Sequence, residues 1–154
     1  MSEIFKYLHI ITMFSAVATS VGVEFLLHRV AASGDVRSIR NVFKLAEPFG
    51  KAVPILFIVG MLFGLTTAYF KTYNFFANWL LLAYTIFAIN LVVGGAISGP
   101  WLGRTALAAA NSPDDKPSPE LEALIHDRNA TVAMWVAIVS IISIVFVMVM
   151  KPFS

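Results

Sequence analysis

Apolar side chains run almost unbroken through four long stretches of the chain, at about residues 4–28, 52–70, 79–99 and 130–150. Each stretch holds roughly 20 residues, and a helix of that length, rising ~1.5 Å per residue, crosses a hydrocarbon core of ~30 Å. The backbone polar groups of such a stretch find no water inside a bilayer, so they must bond to one another. The runs lack the period of two that a transmembrane β-barrel needs. The pattern therefore predicts an all-α membrane protein, a bundle of four transmembrane helices, with residues 1–154 forming a single transmembrane domain.

The positive charges lie mainly on one side of this predicted bundle. Eight of the eleven Lys and Arg residues fall in the first and third connections, which are Arg29, Arg37, Arg40, Lys44, Lys51, Arg104, Lys116 and Arg128. The opposite side holds Lys6, Lys71 and Lys151. Short cytoplasmic connections of membrane proteins carry an excess of Lys and Arg. The distribution predicts a multi-pass protein of the cell membrane with both large connections in the cytoplasm and both termini outside.

A short amphipathic helix is predicted on the cytoplasmic side, within residues 33–46. Its apolar residues recur at helical spacing, at Val36, Ile39, Val42, Phe43 and Ala46. Cations lie between them, which is typical of a helix at the membrane surface near anionic headgroups. Ser33 or Asp35 would cap its first turn, and Pro48 and Gly50 would end it before the second span.

The remaining connections differ in length and polarity. The turn at residues 71–78 is short, which predicts a tight antiparallel hairpin of spans two and three. Residues 111–119 (NSPDDKPSP) form a polar, proline-rich loop. Ser118 and Pro119 have the types preferred at a helix N-cap and first position, so they predict a helix over residues 120–127 that continues into span four.

Glycines four residues apart mark predicted packing faces in two of the spans. Gly60 and Gly64 lie in the second span, and Gly95 and Gly99 lie in the third. Small residues at this spacing let helix backbones approach closely. These faces are expected to pack within the bundle, or against a second copy or another subunit of a membrane complex.

Few side chains in the spans can carry chemistry. His9 lies near the outer end of span one, Glu24 and His28 lie near its inner end, and Asn90 lies near the centre of span three. His9 and His28 are separated by ~28 Å along one helix, so they cannot ligate one metal ion. Asn90 is expected to form a hydrogen bond to a neighbouring helix.

Two Glu–His pairs with four-residue spacing provide a candidate metal site. Glu24 and His28 share one helix face, Glu122 and His126 share another, and the predicted topology places both pairs at the cytoplasmic end. Carboxylate and imidazole ligands together suit iron, zinc, manganese or copper. The alternative is an ordinary interfacial salt bridge, in which Glu24 pairs with His28 or with a cation such as Lys44 or Arg128.

Several functional classes are excluded. The absence of cysteine rules out disulfides, thiolate metal sites and covalently attached haem. No nucleophile with a neighbouring base, no phosphate-binding loop and no zinc motif is present, so the sequence identifies no catalytic residue. The cations are too few and too close to the membrane for nucleic-acid binding, which leaves the lipid bilayer as the expected partner.

Two short stretches resemble known families of small membrane proteins. The opening Lys6-Tyr7-Leu8-His9-Ile10-Ile11 is similar to the start of span one in the copper resistance D family and the J-type protoporphyrinogen oxidase family. An uncharacterised four-helix family of predicted integral membrane proteins shares that start. The closing Met148-Val149-Met150-Lys151-Pro152-Phe153 resembles the end of the last span in the protoporphyrinogen oxidase family and in the uncharacterised family. Chain size and four-span layout fit the uncharacterised family best.

The resemblance implies a cofactor, because the oxidase family binds b-type haem through the histidine of its first span. His9 occupies that position here, and Lys6 matches a nearby lysine. A second haem ligand would come from Met148 or Met150, from Lys6 or Lys151, or from a partner chain, unless the second axial position stays open.

Three functions remain open from the sequence. The first is a non-catalytic accessory or scaffold subunit of a membrane complex, which the packing faces and the amphipathic helix favour. The second is a small membrane protein that binds b-type haem or a metal. The third is an oligomeric transporter of a small solute, although the spans show no paired breaks or inverted repeat.

Overall fold

The computed structural model describes residues 2–152, and those residues form helices joined by short loops. The helices are α1 (Ser2–Ala31), α2 (Val36–Phe70), α3 (Asn78–Val93), α4 (Gly99–Asn111), α5 (Pro119–Ile125) and α6 (Arg128–Met150). Met1, Phe153 and Ser154 lie outside the described residues, so the two ends of the predicted domain and the last residue of the closing motif do too. The fold class is all-α, as the sequence predicts, with four helical segments long and apolar enough to cross a membrane.

The four long segments pack as two pairs. Helix α1 lies along α2, and α3 packs on α6, with a smaller contact between α1 and α6. The prediction of a tight hairpin between spans two and three is wrong. A short turn at residues 71–77 joins α2 and α3, yet α3 makes its packing contacts with α6. The two pairs are separated by cavities, and Phe57 of α2 meets Phe87 of α3 across the gap, with ring centroids 6.0 Å apart.

Polar contacts define the two ends of the bundle. At one end the Lys71 Nζ atom lies 2.6 Å from Glu3 Oε1, and Lys151 Nζ lies 4.9 Å from the ring centroid of Tyr73. These contacts place the start of α1, the α2–α3 turn and the end of α6 together, and we call this end the terminal side. The other end, where the α1–α2 and α4–α5 connections meet, is the loop side.

The amphipathic segment is the beginning of α2 and not a separate helix. Asp35 is its N-cap, accepting a hydrogen bond from the Ser38 amide over 3.2 Å, and Gly34 forms the preceding turn with a φ of +70°. The predicted break is wrong, because α2 continues through Pro48 to Phe70. The apolar face also lies in the protein interior and not on the membrane surface. Its buried side chains are Val36, Ile39, Phe43 and Ala46.

The third span is longer than the sequence predicts. A single helical segment runs from Asn78 to Asn111, and its middle, Gly94–Ser98, is a π-helical turn.

The prediction that the helix over residues 120–127 continues into the fourth span is wrong. Ser118 caps α5 as expected, but α5 ends at Ile125, and Asp127 caps a new helix by accepting hydrogen bonds from the Asn129 and Ala130 amides.

The loop side contains a hydrophobic core centred on Trp101 of α4. The Trp101 side chain is 1% exposed, and its indole N–H donates to the Leu124 carbonyl over 2.9 Å. Its ring stacks on His28 with centroids 4.1 Å apart and meets Phe43 edge-on at 5.8 Å. One side chain therefore joins α1, α2, α4 and α5.

Arg40 fastens α2 to the α4–α5 loop. Its guanidinium donates to the carbonyls of Ala109 and Ser112 and lies 2.8 Å from Asp114 Oδ1. The hydrogen bond from Arg40, aided by the charge of nearby Arg37, lowers the pKa of the Asp114 carboxyl. These contacts of Arg40 hold the α4–α5 loop against the hydrophobic core around Trp101.

The remaining surface of the long helices is apolar. Large hydrophobic side chains are exposed on each of them, such as Phe14 of α1 at 68%, Leu62 of α2 at 54% and Val145 of α6 at 57%. Exposed apolar surface on this scale is typical of contact with lipid rather than water. The outer surface of the bundle is therefore suited to contact with lipid.

Candidate functional site

A cavity of about 470 Å³ lies between the two helix pairs on the terminal side. Helices α1, α2, α3 and α6 all contribute to its wall, which is mostly apolar. Its volume lies in the range of ~300–1,000 Å³ that is typical of small-molecule and cofactor sites. His9 is on this wall, together with Met13, Gly64 and Met148. We call it the terminal-side cavity.

The His9 ring has a fixed orientation and tautomer. Its Nδ1 atom lies 2.7 Å from the Gly60 carbonyl oxygen on α2. A carbonyl oxygen can only accept, so Nδ1 must carry the proton. In the neutral ring, Nε2 then holds a free lone pair, which is the form in which histidine ligates a metal ion. No hydrogen bond among the described residues uses Nε2 of His9.

Two glycines make room for α1 on the face of α2. A Cβ atom on Gly64 would lie 2.8 Å from Cε1 of His9, and one on Gly60 would lie 2.6 Å from Sδ of Met13. Atoms do not approach that closely without displacement, so larger residues at these positions would push His9 and Met13 away. The spacing of Gly60 and Gly64 therefore serves the approach of α1 and the position of the His9 ring.

Three lysines contribute to the lining of this cavity, Lys6, Lys71 and Lys151. Hydrogen bonding to Glu3, together with the charge of that carboxylate, raises the pKa of the Lys71 ammonium, and Lys151 lies over the Trp79 ring at 5.3 Å. An apolar cavity with cations in its lining suits a ligand with an apolar body and acidic substituents.

Two further side chains on the wall carry atoms that suit contact with a cofactor. Met148 of α6 presents a thioether, a ligand that iron accepts in haem proteins. The Tyr84 hydroxyl is buried and forms no hydrogen bond among the described residues. An unpaired buried hydroxyl is costly unless something in the cavity satisfies it.

A second cavity of about 380 Å³ lies toward the loop side. Phe87 contributes to the lining of both cavities, so the two are neighbours along the gap between the helix pairs. Glu24 lies in this loop-side cavity and accepts a hydrogen bond from the Ser98 hydroxyl over 2.8 Å. The expectation that Glu24 contacts His28 or a cation is wrong, because its partner is Ser98 of the π-helical turn.

The glycines of the third span line this second cavity. A Cβ on Gly95 would meet nothing within 4 Å, and one on Gly99 would lie 3.1 Å from the Gly94 carbonyl of the same segment. Gly95 and Gly99 thus do not place a neighbouring helix backbone in close contact. The expected hydrogen bond of Asn90 is also missing, because its Nδ2 atom is buried without a partner among the described residues.

The four residues of the candidate metal site are not brought together. Glu24 bonds to Ser98, His28 stacks on Trp101, and Nδ1 of His126 lies 2.9 Å from the Glu122 carbonyl. Trp101 is the physical reason, since its ring covers His28 while its N–H bonds to α5. Within residues 2–152 no group of three or more His, Asp or Glu side chains lies close enough to hold a metal ion.

His9 was predicted as a candidate ligand from the sequence, whereas the cavities around it were not predicted. The hydropathy pattern shows which residues are apolar, but it does not show where two helix pairs separate and leave a cavity. A signal for the π-helical turn was present in the Gly94-Gly95 pair, because glycine weakens regular helix and π-turns occur often at functional sites. Ser98 carried no signal, since it is 74 residues from Glu24.

Comparison with known proteins gives a family and a membrane location. Residues 3–152 match the model of a family described as "Predicted integral membrane protein (DUF2269)". No curated protein and no solved structure matches the chain. The match covers nearly all of the 154 residues and agrees with the four apolar helical segments. The chain is an integral, multi-pass membrane protein and belongs to this family of predicted integral membrane proteins, DUF2269.

Proposed function

We propose that this protein binds b-type haem in the terminal-side cavity, where Nε2 of His9 would be a ligand of the iron. The observation that carries the proposal is the 2.7 Å contact between His9 Nδ1 and the Gly60 carbonyl. Ligating histidines usually donate their second ring nitrogen to a carbonyl or carboxylate, which fixes the ring and raises its basicity. His9 has that arrangement on the wall of an apolar chamber.

The chemistry of the wall fits this cofactor. Haem b has a broad apolar ring and two propionates at one edge. The terminal-side cavity offers apolar walls, and Lys6 and Lys151 in its lining provide cations for the propionates. The Tyr84 hydroxyl supplies a donor that is otherwise unpaired.

Met148 is the best-placed second ligand. Of the candidates from the sequence, Met148, Lys6 and Lys151 line the cavity. Met150 is outside the lining and 62% exposed. Lys151 contacts two aromatic rings, and Lys6 lies on the same helix as His9, which leaves the soft thioether of Met148 on α6 as the donor from another helix. When bound, a haem would supply one-electron chemistry, and this chain would hold it, orient it and keep water from it.

Haem titration of the purified protein tests the proposal. In a neutral detergent, adding haem is expected to give a Soret band that saturates at one haem per chain, and His9→Ala is expected to abolish it because the ligand is lost. His126→Ala is the matched control and should leave the titration unchanged, since His126 lies in the exposed part of the loop side. Absence of a specific band in the unaltered protein would refute haem binding. A band that survives His9→Ala would refute the ligand assignment.

A negative titration would favour one of the other sequence-based functions. An accessory or scaffold subunit, acting in a homo-oligomer or a larger membrane complex, would be expected to co-purify with its partner. An oligomeric solute transporter would be expected to move a solute across vesicle membranes when the protein is reconstituted.

The orientation of the chain is part of the proposal. Residues 1–154 are taken as one transmembrane domain whose terminal side, with His9, faces away from the cytoplasm. What supports this orientation is the distribution of eight cations on the loop side against three on the terminal side.

Reporter fusions test this orientation. A reporter active only in the cytoplasm should give no signal when fused after Ser154, because the positive-inside rule places that end outside. The same reporter inserted after Lys116, in the exposed α4–α5 loop, should give a strong signal. The reverse pair of signals would show that the terminal side faces the cytoplasm.

A further inference from the structure

Among residues 2–152, a single ionisable side chain lines the loop-side cavity. The lining from α1, α2, α3, α4, α6 and the π-helical turn includes Glu24, and these described residues contribute no other acidic residue and no Lys, Arg or His. Glu24 is therefore the ionisable side chain of the described chain that a molecule in this cavity would meet. This cavity is separate from the one that contains His9.

The Glu24 carboxylate lacks a counterion in the protein. Its Oε1 atom accepts a hydrogen bond from Ser98, and none of the ion pairs among residues 2–152 includes it. A carboxylate among apolar groups is costly unless a cation or several donors compensate it. One hydroxyl leaves most of its accepting capacity unused, so the site is complementary to a positive charge.

The rest of the wall suits an organic cation better than a metal ion. Phe49, Phe57 and Phe87 line the cavity, and aromatic rings attract the ammonium groups of ligands. A bare metal ion would need several oxygen or nitrogen ligands, and no group of three such acidic or imidazole side chains exists in the described part of the chain. The volume of about 380 Å³ accommodates a small organic molecule.

Asn90 adds a second recognition point. Its side-chain nitrogen is buried without a hydrogen-bond partner, and the residue lines the same cavity. An amide N–H donates, so it would satisfy an acceptor oxygen on the bound molecule. Gly94 and Gly95 keep the adjoining wall open, since a Cβ on either would meet nothing within 4 Å.

We infer that the loop-side cavity is a binding site for an apolar amine, with the protonated nitrogen at Glu24, the apolar body against the phenyl rings and an ether or carbonyl oxygen at Asn90. The inference does not depend on haem binding, because Glu24 and Asn90 line a different cavity from His9, although Phe87 lines both.

Calorimetric titration with a simple aryloxyalkylamine tests this inference. The probe is N,N-dimethyl-2-phenoxyethylamine, protonated at neutral pH, and its partner is the neutral isostere in which carbon replaces nitrogen. The purified chain in neutral detergent should bind the amine about tenfold or more tightly than the isostere, because the charge contact is buried. Glu24→Gln should remove that preference, and Glu122→Gln, which changes a carboxylate outside the cavity, should preserve it.

A cavity-filling variant keeps the test valid if Glu24→Gln does not fold. Gly95→Leu places a side chain in open space and should abolish amine binding, while Gly22→Leu, also without a neighbour within 4 Å, should not. Equal binding of amine and isostere would show an apolar lipid pocket and overturn the inference. Binding of neither molecule would overturn it as well, and so would a preference for the amine that survives Glu24→Gln or amine binding that survives Gly95→Leu.

Discussion

Replacing Trp101 by alanine is expected to lower the free energy of unfolding by about 3–5 kcal/mol, the usual cost of deleting a large buried aromatic side chain. The side chain is 1% exposed and fills the contact of four helices. Its loss would also leave the Leu124 carbonyl without the indole donor and His28 without its stacking partner at 4.1 Å. Unfolding by increasing denaturant in mixed micelles, followed by circular dichroism, measures the effect.

Trp135→Ala is the matched control for this experiment. Trp135 lies on α6 and is 54% exposed, so its truncation removes an aromatic ring from the expected lipid surface and opens no cavity. The unfolding curve of this variant should stay close to that of the unaltered protein. Equal losses for Trp101→Ala and Trp135→Ala would contradict a packed core at the loop side.

Replacing Gly64 by leucine is expected to cost about 1–3 kcal/mol of stability, as overpacking generally does. A Cβ alone at this position would lie 2.8 Å from the His9 ring, so the larger side chain must push α1 away from α2 or turn the imidazole. Either movement breaks the hydrogen bond between His9 and the Gly60 carbonyl. The variant should therefore lose haem affinity in addition to stability.

Gly22→Leu separates the steric effect from the effect of leucine itself. A Cβ on Gly22 meets nothing within 4 Å, so this variant should melt and bind haem as the unaltered protein does. If Gly64→Leu matched Gly22→Leu in both measurements, the close approach of α1 and α2 at His9 would be wrong. A loss of stability alone would keep the packing and count against the haem site.

The spans could be predicted because hydropathy needs no tertiary information. The four apolar stretches coincide with helical segments, and local capping residues such as Asp35 and Ser118 were found by residue type. Helix ends inside the molecule were less predictable. Pro48 indicated a break, but α2 continues through it to Phe70, and the buried residues Phe43 and Ala46 lie on the turns before it.

The candidate site was predictable only in part, because its parts lie far apart in the chain. His9 was found through a resemblance, and the Gly60–Gly64 spacing was found through small-residue packing. The contact between His9 and Gly64 depends on the register of α1 on α2, in which Gly64 leaves space for the His9 ring. Register between helices is not visible in a local sequence pattern. Likewise, no local pattern indicates that a π-helical turn brings Ser98 to Glu24 or that Trp101 covers His28.

Coordination of haem iron by His9 is the central claim, and pulsed electron paramagnetic resonance tests it most directly. The haem-loaded ferric protein, prepared with ¹⁵N-labelled histidine, should show coupling of the iron to an axial imidazole nitrogen. That coupling should persist in His126→Ala, whereas His9→Ala mixed with the same amount of haem should show no imidazole coupling. A haem-loaded protein without imidazole coupling, or one whose coupling is unchanged in His9→Ala, would contradict the account.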